Sequence, residues 1–275
     1  MGDDGEVWER WTAISARRRR LVTLLAALVV AGAVVVGVQV VRTGGTPAAP
    51  TQGRPGPVLL VPGYGGSRDS LSVLAERLRR AGRTAEVLTL PGDGTGDLRA
   101  QVQVLDDAAR DAVADGAPSV DVIGYSAGGV VTRLWIAGDG AGLARRVITL
   151  GAPLHGTETA AVGGVLAPGA CPVACQQLIP GSALLNDVAT RSVPLPWLSL
   201  WTENDKTVTP PDTAQLDGAV NVPLQRVCPG VEIAHSQLPA DPLVTGLVLR
   251  ALGTSPLAAP GSTDCGRLRA EGTSS

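Results

Sequence analysis

The chain has 275 residues, of which 44% are hydrophobic and 17% charged, and its net charge is −2. This composition supports one large packed domain with appendages and excludes an intrinsically disordered chain. The near-neutral balance gives no reason to expect a nucleic-acid partner or a strongly acidic substrate.

Residues 1–20 read as a basic cytoplasmic N terminus that ends in Arg17, Arg18, Arg19 and Arg20. Leu21 to Val41 follows without a charged residue, close to the roughly twenty apolar residues that span a bilayer. The run is longer than the apolar core of a cleaved signal and ends in Val40, Val41 and Arg42 rather than a small-x-small site. An uncleaved transmembrane anchor is therefore favoured, and a cleaved or twin-arginine signal is the alternative. Arginines on its N-terminal side leave the remaining chain outside the cytoplasm, in a single-pass arrangement.

Residues 42–57 are rich in Gly, Pro and Thr without apolar periodicity, as expected of a flexible linker. The folded domain is expected over 58–252. "VLLV" at Val58 to Val61 has the continuous apolar character of a strand buried on both sides. Leu71, Leu74 and Leu78 recur at helical spacing between a cap at Asp69 or Ser70 and a stop at Gly82. "AEVLTL" reads as the next strand, and Leu98, Val102, Leu105 and Ala109 mark the next helix. "VDVIG", "RRVITLG" and "LPWLSLW" repeat the strand signal, and Asp241 to Leu252 reads as a helix. Strands alternating with helices predict an α/β fold with a mostly parallel central sheet and helices on both faces. The tail, 253–275, is polar and is expected to be loose except where Cys265 pins it.

All four cysteines, Cys171, Cys175, Cys228 and Cys265, lie beyond the apolar segment. An even number in an exported domain reads as disulfides, and the favoured pairing joins Cys171 with Cys175 and Cys228 with Cys265. A zinc site is disfavoured: there is no C-x-x-C pair, and His155 and His235 are the only histidines. No metal or other cofactor is expected.

"GYSAGG" places Ser126 where a buried strand turns abruptly into a helix, in the pattern Gly124, Tyr125, Ser126, Ala127, Gly128. A G-x-S-x-G elbow needs small neighbours because the strained serine brings strand and helix close together. A glycine-rich turn with an incidental serine has the same short pattern, so the context must decide. A serine hydroxyl is a weak nucleophile until a base takes its proton. His235 in "EIAHSQLP" follows the acidic candidates in the chain and is the expected base; His155 in "GAPLHGT" precedes them. "LSLWTENDKTVTP" offers Glu203 and Asp205 after a strand; Asp205 is preferred, Glu203 is the fallback, and Asp212 and Asp217 read as solvated. For the oxyanion, the amide of Ala127 follows the nucleophile and that of Tyr64 lies in "VPGYGGS", directly after the first strand.

With "VPGYGG", "GYSAGG", "TLGAPLHGT", "ENDKTVTP" and "AHSQLP" in this order, the stretch from Val58 to about Leu252 resembles α/β-hydrolases of the secreted bacterial lipase and esterase kind. The resemblance implies a serine hydrolase for carboxylic esters of small molecules or lipids, with Ser126, Asp205 and His235 catalytic and Tyr64 and Ala127 as oxyanion donors. Pro62 and Gly63 stand where many such lipases have His-Gly, and the usual Gly-x-Pro-His-x-Gly is stretched here to Gly151 through Gly156, which points His155 to a structural role. His155 to Gly181, rich in Gly, Ala and Leu, reads either as an apolar flap over an acyl site or as a connecting insertion. A cell-envelope acyltransferase or a thioesterase shares the same motifs. A non-catalytic binding module is the reading from another class, and it has no need of all three residues.

Overall fold

The computed structural model describes residues 49–166, 169 and 171–274, together with scattered positions between 15 and 30. The expected cytoplasmic N terminus, the segment Leu21–Val41 and the first part of the linker lie largely outside the described residues. Among the described residues no helix is long and apolar enough to cross a membrane.

Six strands form one parallel sheet: β1 (Val58–Val61), β2 (Ala85–Val87), β3 (Val120–Tyr125), β4 (Ala144–Leu150), β5 (Trp197–Trp201) and β6 (Val220–Pro223). Their order is β2-β1-β3-β4-β5-β6. Parallel pairing requires crossovers, so both faces of the sheet are covered and its strands read as unbroken apolar runs. Alternate residues serve opposite faces. Leu59, Val61, Val122, Val147 and Trp197 pack in one core with helices α2 (Leu98–Ala114) and α3 (Ala127–Ala137). Val58, Leu60, Ile123, Ile148 and Leu198 pack in the other with α1 (Asp69–Arg80) and α8 (Pro242–Ala251).

The sheet order reverses direction between β1 and β3, since β1 leads through α1 on one face and β3 through α3 on the other. Their carboxyl ends therefore diverge and leave a crevice, the place where open α/β sheets bind ligands. Beyond β4 the chain forms α4 (Glu158–Leu166), α5 (Val173–Gln177) and α6 (Ala183–Ala189), and α7 (Leu224–Val227) follows β6. Strand β6 was not expected: Val220–Pro223 is only partly buried at the sheet edge and has little apolar signal.

Two expectations are corrected. The region read as a flexible linker is docked from Gln52 onward: its side chain donates to the Arg145 carbonyl at 3.0 Å and accepts from Arg146 at 2.8 Å. The tail read as loose contains α9 (Cys265–Ser274), packed on α8. A Cβ at Gly246 would lie 2.0 Å from the Leu268 carbonyl oxygen, and one at Gly272 would lie 1.9 Å from that of Pro242. Only glycine allows these backbones so close, and Leu268 fills the core alongside, fully buried. The polar composition of α9 hid this, because a single leucine anchors it. Disulfides join Cys171 to Cys175 and Cys228 to Cys265, the favoured pairing, and the second ties the end of α7 to the start of α9.

At the amino edge of the sheet an ion cluster lies inside the fold. Asp121 and Arg145 are fully buried, and their side chains meet in two bonds of 2.9 and 2.6 Å. Arg83 adds a third at 2.8 Å. The remaining donors of Arg145 reach the carbonyls of Gln52, Leu252 and Gly253, and Arg146 reaches those of Ala251 and Ser255. Two cations thus meet carbonyls at the end of α8, which lack donor partners within the helix and carry the negative end of its dipole. Burial, with Arg145 beside it, holds the Arg146 guanidinium below its ordinary pKa.

Breaking such a pair leaves a buried charge unmatched. Asp121→Ala is expected to lower unfolding stability by about 3–5 kcal/mol, read from denaturant midpoints. Glu76→Ala, which removes the exposed pair with Arg79, is expected to change it by under about 1 kcal/mol.

Candidate active site

Ser126 stands between β3 and α3 with φ 52° and ψ −127°, and it is the one non-glycine residue with positive φ among those described. The strain is held by close packing on every side. A Cβ at Gly124 would lie 2.6 Å from Gly129 Cα, and one at Gly128 would lie 2.3 Å from the Val61 carbonyl oxygen. The glycines flanking the serine thus let α3 start against both β3 and β1. The hydroxyl is left partly exposed at the crevice, over the amino end of α3.

Residues distant in sequence converge on it. His235 opens a short 3-10 turn, His235–Ala240, and is 7% exposed. Its Nε2 lies 3.0 Å from Ser126 Oγ, and its Nδ1 lies 2.6 Å from Asp205 Oδ2. A carboxylate only accepts, so Nδ1 carries the proton and donates it to Asp205, which leaves Nε2 to accept from the serine hydroxyl. Asp205 is 5% exposed, and its Oδ1 accepts from the backbone amides of Thr207 and Val208, both at 2.8 Å. These bonds fix the carboxylate after β5 and spread its charge into the turn.

Of the two acids weighed, only Asp205 meets the histidine. Glu203 is exposed and its amide bonds Gln225, while Asp212 and Asp217 are exposed farther along the chain. His155 is exposed and its Nδ1 lies 3.1 Å from the Thr213 carbonyl, outside the hydrogen-bonded series. Gly63 carries the loop after β1 over the serine: a Cβ there would lie 2.9 Å from Ser126 Cβ. The amides of Tyr64 and Ala127 meet no protein acceptor among the described residues; that of Ala127 opens α3 and has no helical partner. Two donors near one serine suit a developing oxyanion. No group of three or more His, Cys, Asp or Glu side chains suited to a metal occurs among the described residues.

Tyr125 was not singled out in the sequence, where it is simply the variable position of the elbow. Its ring lies 5.2 Å from that of His235 between centroids, and its hydroxyl donates to the His235 carbonyl at 3.3 Å. Burial, aided by the charge of Asp205, pushes the phenol from its ordinary pKa of 10.0 up to about 12. The folded state therefore keeps a proton that the unfolded state releases. Its contribution is complete below pH 10 and is lost as pH rises through about 12. Denaturation series at stepped pH are expected to show a decline over this window, less steep in Tyr125→Phe.

The fold resembles that of solved enzymes, although no family model and no curated protein matches the sequence. Lipase B of Aspergillus fumigatus superposes with a TM-score of 0.59 at 20% identity, over 82% of this chain and 63% of that one. The mature lipase BlEst2 of Bacillus licheniformis gives 0.59 at 19% identity, over 75% of this chain and 95% of that one. An alpha/beta hydrolase enzyme, MGS-MChE2, from the metagenome of lagoon sediments at Mar Chica, Morocco, gives 0.50 at 15% identity, over 72% and 90%. With its parallel sheet, its helices on both faces and these neighbours, the chain has the α/β-hydrolase fold.

Proposed function

We propose that the chain is a serine hydrolase of carboxylic esters. The observation that carries this reading is the hydrogen-bonded series Ser126, His235, Asp205, closed at the carboxyl edge of the sheet beside two amides without acceptors. A binding module has no use for a strained serine aimed at a buried, carboxylate-held imidazole.

In the proposed cycle, His235 Nε2 takes the Ser126 proton as Oγ bonds to the ester carbonyl carbon. Asp205 keeps the ring oriented and stabilises its cation, and the amides of Tyr64 and Ala127 hold the oxyanion. The carbon–oxygen bond to the alcohol then breaks, with the proton passing from Nε2 to the departing oxygen. Water, deprotonated by the same nitrogen, attacks the acyl-serine, and the acid leaves. An extracytoplasmic location is supported by the two disulfides and the apolar run Leu21–Val41.

Ser126→Ala is expected to abolish p-nitrophenyl ester hydrolysis and labelling by a fluorophosphonate probe. Asp205→Asn keeps the shape but favours the wrong tautomer, and is expected to lower kcat by roughly three to four orders of magnitude. Unchanged turnover in Ser126→Ala would sink the assignment. As part of the same reading Leu21–Val41 remains as an anchor: the full chain is expected to stay with membranes through a carbonate wash, and a released chain beginning near Thr46 would overturn that.

A further inference from the structure

Two cavities flank the serine–histidine pair, and they differ in size and chemistry. On the serine side an apolar cavity of about 200 Å³ is lined by Ser126, Pro153, Ala160, Cys175, Leu178 and Val208. On the histidine side a groove of about 510 Å³ is lined by Asn204, Lys206, Glu232, His235, Ser236 and Gln237. Thr207 borders both.

The chemistry of acyl transfer decides which half of an ester occupies each. The imidazole that takes the proton from the serine must return it to the departing alkoxide, so the alcohol oxygen lies within reach of His235. The alcohol half then extends into the groove beside His235, and the acyl half turns the other way, into the apolar cavity. That cavity is smaller than the roughly 300–1,000 Å³ typical of sites that enclose a drug-sized ligand. Its far wall is the segment read in the sequence either as a flap or as a connecting insertion. Cys175 and Leu178 come from this wall, and the bond from Cys175 to Cys171 staples the start of α5. Gly164 of α4 closes on Ile179, leaving 3.0 Å between a Cβ built at Gly164 and the Ile179 Cδ1 atom.

The groove is mixed, with Ile233 and Ala234 among its polar side chains, and so is more polar than the cavity on the serine side. Lys206, the single lysine of the chain, and Glu232 supply one charge of each sign, so no net charge is demanded of the occupant. The side chains of Lys206, Glu232 and Ser236 have no hydrogen-bond or ion-pair partner among the described residues, and all three are exposed. They offer an ammonium, a carboxylate and a hydroxyl, a set suited to the mixed donors and acceptors of a polyol.

Resting on the ester-hydrolase reading, we infer that the substrate is an ester of a short acyl chain with a bulky, neutral, polyhydroxylated alcohol, such as an acylated glycerol or sugar. A long-chain lipid has the reverse distribution of apolar bulk.

The test uses the full chain in a nonionic detergent. With p-nitrophenyl esters, kcat/KM is expected to drop at least about tenfold from butyrate to octanoate, a loss of the size a pocket imposes on surplus methylenes. Glyceryl monobutyrate is expected to be cleaved faster than hexyl butyrate. Lys206→Gln and Glu232→Gln are each expected to reduce that glyceryl-to-hexyl ratio by about fivefold, the worth of one hydrogen bond. Because a ratio is measured on one sample, partial misfolding does not move it. Leu178→Ala, or Val208→Ala if the former fails to fold, is expected to shift the optimum towards longer chains. Octanoate cleaved as well as butyrate, or hexyl butyrate outpacing the glyceryl ester, would overturn the inference and leave the hydrolase reading intact. If no ester is cleaved and the fluorophosphonate leaves Ser126 unlabelled, the hydrolase reading fails and the inference goes with it.

Discussion

The conformation of Ser126 depends on how closely a helix can start against two strands. With α3 beginning at Ala127 and lying against the ends of β1 and β3, the serine has no room for ordinary helical or extended angles and takes φ 52°. Small neighbours make this possible, because a side chain at Gly124 or Gly128 would overlap backbone. The strain is affordable only because the surrounding sheet determines the backbone so completely. Everything else in the site is arranged around that fixed point: the β1 loop crosses it at Gly63, the turn after β5 delivers Asp205, and the 3-10 turn before α8 delivers His235.

The opposite end of the sheet bears a different load. Asp121 is in the same strand that ends at the elbow, and its ion pair with Arg145 of β4 locks β3 to its neighbour at the amino edge. The arginines continue to the end of α8, so the helix that follows His235 is held at its far end by charge and at its near end by the Asp241 side chain, which accepts from the Leu243 amide. Buried charge at one edge and strained backbone at the other are thus linked through the same strands. Neither is cheap in isolation, and both persist because apolar packing on the two faces supplies most of the stability.

Much of this was legible in the sequence, for physical reasons. Strands buried on both faces must be apolar without interruption, which exposed β1, β3, β4 and β5. The elbow was visible because its steric demand selects glycine at fixed offsets, and the His235 contact because a serine read as a nucleophile calls for a base and few histidines exist. Asp205 was separable from Glu203 by turn chemistry, since its Oδ1 accepts two amides that follow it. The features that escaped depend on partners remote in sequence. Tyr125 gains meaning only when His235 arrives beside it, Gln52 only when Arg145 and Arg146 face it, and α9 only when Gly246 and Gly272 admit it to α8. The two cavities of unlike polarity also belong to no single segment. One lies between the insertion after β4 and the turn carrying Asp205, the other between that turn and the segment carrying His235.

The packing of α9 against α8 bears on the order in which the molecule can be made. Residues near the start of the domain, at Gln52, share one cluster with Leu252, Gly253 and Ser255, and the final helix inserts Leu268 into a core that β1 helps to build. Contacts between such distant parts of a chain form only after their loop-closure entropy has been met, so they form late. Until α9 has been made, α8 lacks its neighbour and Cys228 lacks Cys265. Native packing of α8 therefore waits for α9, which follows it in the chain, and the domain cannot close step by step from its amino end.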